Sequence, residues 1–172
     1  MEYKASLDLP AKIITSAVII ILAVVDYLNL QRIQESGAGA SANLIHLGII
    51  FLSILVLLIS YVLSPQKYIA DGAELVIVRP ANNVHILVSE IEDVRLIAKG
   101  ELRWTIRTFG VGGLFGYFGK YYNNTFGAMT WYTTQLKNRI LIRLKSSKKI
   151  VITPDNIALA DFLKSKIKSS IS

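Results

Sequence analysis

The chain contains no cysteine, which excludes a disulfide framework, a thiolate nucleophile and a zinc site of the Cys type. Histidine is nearly as scarce. His46 and His85 are the only two, and His46 lies inside an apolar run, so no metal site is expected. Charge is missing from one region in particular. Of 19 Lys plus Arg and 12 Asp plus Glu, only three and four precede Ser64. The other sixteen basic and eight acidic residues place the whole formal excess of +7 in the second part of the chain. A basic domain beside a bilayer feels anionic headgroups, at about 1 kcal/mol per nearby Lys or Arg. Nucleic acid fits this pattern less well and is not expected as a partner.

What the first part has instead is two long hydrophobic runs, residues 13–30 and 44–63. A helix rises about 1.5 Å per residue and a bilayer core is about 30 Å thick, so each run is close to the length of a span. Ser64 and Pro65 stop the second run, because proline lacks a backbone donor and biases the preceding residue away from helical geometry. Tyr61 and Tyr68 sit where interfacial anchors belong. A cleaved signal peptide is the competing reading, since Lys4 and Lys12 precede the first run and Ala40-Ser41-Ala42 is a small-residue site. That site stands a dozen residues beyond the run and a second span follows at once, so a helical hairpin is the simpler account.

The chain therefore divides into a flank at 1–12, a transmembrane hairpin at 13–63 and a domain at 64–172. Two lysines before the first span and Lys67 after the second favour both ends, and hence the domain, in the cytoplasm. Asp26 is the one acid within a span. In an antiparallel hairpin Asp26 and His46 fall at similar depth, as a candidate intramembrane pair or as two groups in the wet interface.

Beyond Tyr68 the apolar period changes from helical to twofold. The segments 75–78, 84–88, 91–98, 102–109, 128–134, 139–144 and 149–152 read as seven short antiparallel strands, the last two joined by a turn at Ser146-Ser147. A helix then follows Thr153-Pro154, with Asp155 as its expected cap and Leu159, Leu163 and Ile167 on one face. In the final hairpin, alternation puts Arg139, Arg143 and Lys145 opposite Ile140, Ile142 and Leu144, either as a solvated face or as a headgroup site.

Residues 109–123, FGVGGLFGYFGKYYN, are dense in glycine and aromatic residues. A phosphate loop fails, because Tyr121 stands where the Mg-binding hydroxyl belongs, and the dinucleotide fingerprint fails because no helix opens there. Two readings of this expected loop stay open. Its glycines can permit positive φ in a strained connection, or Phe115, Tyr117 and Phe118 beside Lys120 can form a membrane-dipping or partner-binding surface.

The run from Arg107 to Gly119, followed by later strands and the Thr153-Pro154-Asp155 lead into a helix, resembles bacterial pleckstrin-homology-like domains of the membrane-anchored type. The resemblance spans about residues 68–167. It implies a seven-strand, partly open barrel capped by a C-terminal helix, in a bacterial inner membrane, a fold used elsewhere to bind lipids, peptides or proteins. It brings no catalytic residue and no cofactor. The expected function is a membrane-anchored, non-catalytic interaction module engaging anionic headgroups of the bilayer, a protein partner or a second copy. The alternative is an accessory subunit acting through its hairpin. Asp71, Glu90, Glu92, Asp93 and Glu101 supply carboxylates, but nothing in their spacing marks a juxtaposed acid and base.

Overall fold

A computed structural model of the chain describes residues 1–35, 40–98 and 100–169, with the side chains of 35, 40–42 and 169 also outside the description. The centre of the expected 31–43 loop and the side chains of Ala40-Ser41-Ala42 therefore lie outside the described residues. Helices α1 (Leu9–Glu35) and α2 (Ala40–Leu63) run several residues beyond the apolar cores read from the sequence. Asp8 caps α1, with Oδ1 accepting the Ala11 N–H at 2.9 Å, and Pro10 sits in the first turn, where a missing N–H is harmless. α2 ends at Leu63, before the Ser64-Pro65 stop. Both helices are long and apolar enough to cross a membrane, and only 11% of each 18-residue window is buried. That sparse burial separates them from the core helices of a soluble domain. Ile20, Ile21, Phe51 and Leu58 point away from the rest of the chain.

The β part forms two sheets. The first has the order β1-β2-β3-β4, from β1 (Glu2–Lys4), β2 (Lys67–Ala70), β3 (Glu74–Val78) and β4 (Val84–Leu87). The second has the order β5-β9-β10-β8-β7-β6. Its strands are β5 (Ile91–Leu96), β6 (Ile106–Gly113), β7 (Gly116–Asn123), β8 (Gly127–Thr133), β9 (Ile140–Leu144) and β10 (Lys149–Ile152). All pairings are antiparallel except β8 with β10.

Ten strands replace the expected seven. β1 and β2 flank the hairpin and are too short for periodicity to show. The third addition, β7, comes from the glycine-aromatic run, which is not a loop but the β6–β7 hairpin. Glycine hides it from an alternation pattern, yet glycine makes it possible. Gly110 and Gly119 face each other across the strands at φ of +118° and +124°, and a Cβ on either would run into the backbone of Phe118 or Phe109. The strand expected at 102–109 shifts accordingly: residues 101–104 are a turn and β6 begins at Ile106.

Helix α3 (Ala158–Ser169) closes the space between the sheets. Tyr68, Leu75, Ile77, Ile91, Val94, Ile140, Ile142 and Ile152 pack there against Leu159 and Leu163. Asp155 is not its cap. Both Asp155 carboxylate oxygens bond to Ser6, and Asn156 Oδ1 accepts the Ala158 N–H at 2.9 Å, so the helix starts later. A second apolar cluster lies on the opposite face of the second sheet, where Leu102, Tyr121, Met129, Trp131, Leu141 and Val151 meet Ala11 of α1.

Tyr68 joins the two sheets. Its buried hydroxyl donates to Tyr132 O at 2.7 Å and accepts from the Thr153 N–H at 3.2 Å. Burial, the largest influence, pushes its pKa up to about 12 from an ordinary value of 10.0. The phenol thus resists ionisation when folded and ionises near 10.0 when unfolded. Its stabilisation is fully present below pH 10.0 and is lost as pH rises toward 12, by about 3 kcal/mol. Unfolding monitored from pH 9 to 12 is expected to show that decline in the native chain, and Tyr68→Phe is expected to make it shallower, the remainder coming from Tyr117 and Tyr121, whose phenols are also shifted up.

Candidate functional site

The base of the hairpin fixes which end of the second sheet faces the membrane helices. Asp8, the α1 cap, also receives the Leu136 N–H on Oδ2 at 3.0 Å and the Tyr117 hydroxyl on Oδ1 at 3.3 Å, while its own N–H donates to Thr134 O. About two turns further along α1, the Thr15 hydroxyl donates to Gly113 O at 3.2 Å and accepts the Phe115 N–H at 2.9 Å. The Phe115 ring meets Tyr61, near the end of α2, edge-on at 5.6 Å. The turn of the β6–β7 hairpin is therefore docked on both helices. The register then places Leu96, Ile140, Thr133 and Tyr117 toward this helix-side end, and Ile91, Leu144, Gly127 and Asn123 toward the far end.

This layout sorts the residues singled out in the sequence. Arg139, Arg143 and Lys145 do not form one basic surface. Leu141 stands between them, buried in the second apolar cluster, because this face of the sheet is covered. Arg143 approaches Glu92 at 3.5 Å and Asp93 at 3.7 Å. Lys145 lies six residues beyond Arg139, about 20 Å along a strand and so toward the far end. Phe115 and Tyr117 belong to the helix-side end. Phe118 is buried, and Lys120 projects further out, donating to Thr130 Oγ1 at 2.8 Å.

Arg139 has a different setting. Its guanidinium lies over the Trp131 ring at 5.6 Å, and its Nε is enclosed without a hydrogen-bond partner. Burial lowers its pKa, opposed by Asp8 and Tyr117 nearby, but an arginine keeps its charge in a protein. Burial and then the Asp8 charge push the Tyr117 phenol up to about 12, so it stays a neutral donor. Arg139 opens onto a cleft of about 740 Å³ that also carries Arg103, Lys137, Leu102 and Leu136. A hollow of about 390 Å³ shares Leu102 and Leu136 and continues to Arg107 and Trp131. The floor is apolar and the rim cationic, a combination that suits an amphipathic anion.

Sequence reasoning did not find Arg103, Lys137 or Asp8, because the cleft is assembled by residues 97–98 and 100–103 lying over the sheet beside Arg139. It also missed the exposure at edge strand β6 and the turn before it, where Ile106 and Phe109 on the strand and Trp104 in the turn are 65%, 78% and 80% exposed. Asp26 and His46 are not joined by any hydrogen bond or ion pair among the described residues. His46 Nδ1 instead lies 2.7 Å from Asn29 Oδ1, and Asn29 Nδ2 donates to Val25 O. Asp26 Oδ1 is enclosed and unpartnered.

A family model described as "Bacterial PH domain" matches residues 66–167. No curated protein and no solved structure matches the chain.

Replacing Asp8 tests whether this carboxylate holds helix and domain together. Asp8→Ala removes the acceptor of two backbone N–H groups and one phenol. A loss of about 3 kcal/mol in thermal unfolding is expected, together with faster amide exchange at Ala11 and Leu136. Asp8→Asn, which can still cap, is expected to lose less.

Proposed function

The chain belongs to the bacterial PH domain family, and from that premise we propose that it is a membrane-anchored, non-catalytic interaction module whose helix-side cleft takes anionic lipid headgroups. Family membership supports an interaction role, and the two apolar helices supply the anchor. The observation that carries the headgroup reading is Arg139: a partly buried cation with an enclosed, unpartnered Nε, at the end of the sheet from which both helices depart. A headgroup phosphate would complete its hydrogen bonding, and Arg103 and Lys137 would add point charges at the rim. Leu102 and Leu136 would meet the glycerol and upper acyl region. The lysines that flank the spans favour a domain on the cytoplasmic side of a bacterial inner membrane.

A second reading rests on Asp26. A half-buried carboxylate with one enclosed oxygen lacking a donor, one turn from the Asn29–His46 contact, suits a helix of a protein partner or second copy that brings the missing hydrogen bond. In that reading the chain is an accessory subunit of a membrane complex.

Both readings are tested on the full chain, because residues 1–8 are part of the domain and a fragment starting at Ser64 would lack β1. Purified in an uncharged detergent, the native chain is expected to retain phosphatidylglycerol over phosphatidylcholine, with the preference weakening as salt rises. Lys137→Gln with Arg139→Gln removes two cations at about 1 kcal/mol each, an expected loss of about thirtyfold. Equal retention of both lipids, or no change in the double variant, would sink the headgroup reading. For the second reading, Asp26→Leu is expected to shift the chain from an oligomeric or complexed band to a lighter one on native gels of solubilised membranes. An unaltered pattern would count against it.

A further inference from the structure

At the end of the second sheet away from the helices, three lysines and a set of hydroxyl groups surround a cavity of about 460 Å³. Lys120 projects from β7, and Lys148 and Lys149 come from the β9–β10 turn and the start of β10. None of the three makes an ion pair among the described residues, and no carboxylate lines the cavity. Elsewhere on the domain the described ion pairs bring acid to base: Lys67 has Glu2, Arg95 has Glu101, and Arg143 has Glu92 and Asp93. The Lys149 ammonium is held by Phe126 O and also lines a neighbouring hollow with Asp93, while Lys120 and Lys148 have no carboxylate in the cavity; an anion there would relieve the repulsion among the like charges.

We propose that this far-end cavity binds a soluble, multiply charged phosphate compound, and that it is separate from the headgroup cleft. The chemistry of the lining selects phosphate. Lys120 and Thr130 are directly opposite on β7 and β8, and the ammonium already donates to the Thr130 hydroxyl at 2.8 Å. The Thr108 hydroxyl bonds to Lys120 O at 3.1 Å and fixes the adjoining strand. Ser147, held at φ of +64° by its N–H bond to Leu144 O, tightens the turn that carries Ser146 and Lys148. The cavity thus offers ammonium and hydroxyl donors around a single space. It has no arginine fork for a planar carboxylate, and lysine ammoniums act as point charges that suit phosphoryl oxygens. Its volume, within the usual range of small-ligand sites, exceeds what one phosphate fills. Tyr122 offers an apolar wall for the rest of the molecule.

Placement selects the soluble source over a lipid of the anchoring bilayer. The β9–β10 turn lies at the end opposite Asp8 and the docked β6–β7 turn, about a strand length of 20 Å away. A headgroup held in the plane where α1 begins does not reach it.

The test uses the full chain in nanodiscs of phosphatidylcholine, titrated calorimetrically with pyrophosphate and with ATP, beside discs that contain phosphatidate and no soluble phosphate. Saturable binding of at least one soluble phosphate is expected, falling with added salt. Lys148→Gln, whose side chain is exposed and makes no ion pair among the described residues, is expected to weaken it about tenfold while leaving the melting temperature unchanged. Lys120→Gln is expected to act in the same direction, and Lys164→Gln on α3, which lines neither site, to leave the titration unaltered. The proposal is overturned if neither soluble phosphate binds. It is equally overturned if Lys148→Gln and Lys120→Gln bind as the native chain does, or if these substitutions alter only the behaviour of discs that contain phosphatidate. Since Lys137→Gln with Arg139→Gln addresses the cleft alone, either site can fail without the other.

Discussion

The structure depends on the backbone hydrogen bonds and caps of the first eight residues. β1 pairs with β2, so the strand before the first helix is zipped to the strand after the second. The Met1 ammonium donates to Ala70 O, Lys4 O accepts the Asp155 N–H, Ser6 bonds to Asp155, and Asp8 reaches Leu136, Thr134 and Tyr117. These contacts pair residues far apart in sequence, and each holds the start of α1 against the barrel. A hairpin whose two ends belong to one sheet returns to the side from which it left. The same bonds make the angle between helices and barrel a property of the fold rather than of a flexible linker. Without them the domain could turn freely over a membrane, and no face of it would be a membrane face.

Much of this was legible in the sequence, and the failures have definite physical causes. The two long apolar helices, the β9–β10 hairpin and the Ser64-Pro65 stop follow from apolar length, alternation and proline chemistry, all local properties. β1 did not, because three residues carry no periodicity and gain their pairing only after α1 and α2 have intervened. The β6–β7 hairpin was hidden because glycines at 110, 113, 116 and 119 carry no side chain to alternate, although their symmetric positions about Leu114-Phe115 match a hairpin register. Asp155 has the right residue type and position for a cap. Its competitor, Ser6, lies 149 residues away and was invisible to a local reading.

The basic strip failed for a related reason. Alternation assigns Arg139, Arg143 and Lys145 to one face correctly, yet says nothing about whether that face is bare. Ile97, Leu102 and Ala11 of α1 cover part of it, so the sheet is buried on both sides at Leu141 and Ile142. Covering is what gives Arg139 its character. The same guanidinium on an open sheet face would be hydrated, and its affinity for an anion would fall toward that of an ordinary surface pair. Against Trp131, with part of its hydration removed, it is an incomplete hydrogen-bonding group in an apolar setting, where an added acceptor counts for more.

The domain is thus electrostatically two-ended. Lys137 and Arg139 lie beside the helices, with Arg103 lining the same cleft from a turn whose backbone is bonded to Asn123, and Lys120, Lys148 and Lys149 gather at the opposite edge. A strand of six residues spans about 20 Å, and the screening length at physiological salt is about 8 Å. A charge bound at one end is therefore largely screened from the other, so long-range Coulomb coupling between two anions would be small. Any communication must pass through the sheet itself, in which Trp131 under Arg139 and Thr130 beside Lys120 are consecutive residues of β8 with side chains on opposite faces. A rigid central strand of that kind transmits displacement poorly, because its neighbours on both sides and both faces hold it. Were both proposed sites occupied, binding at one would leave the other nearly unchanged.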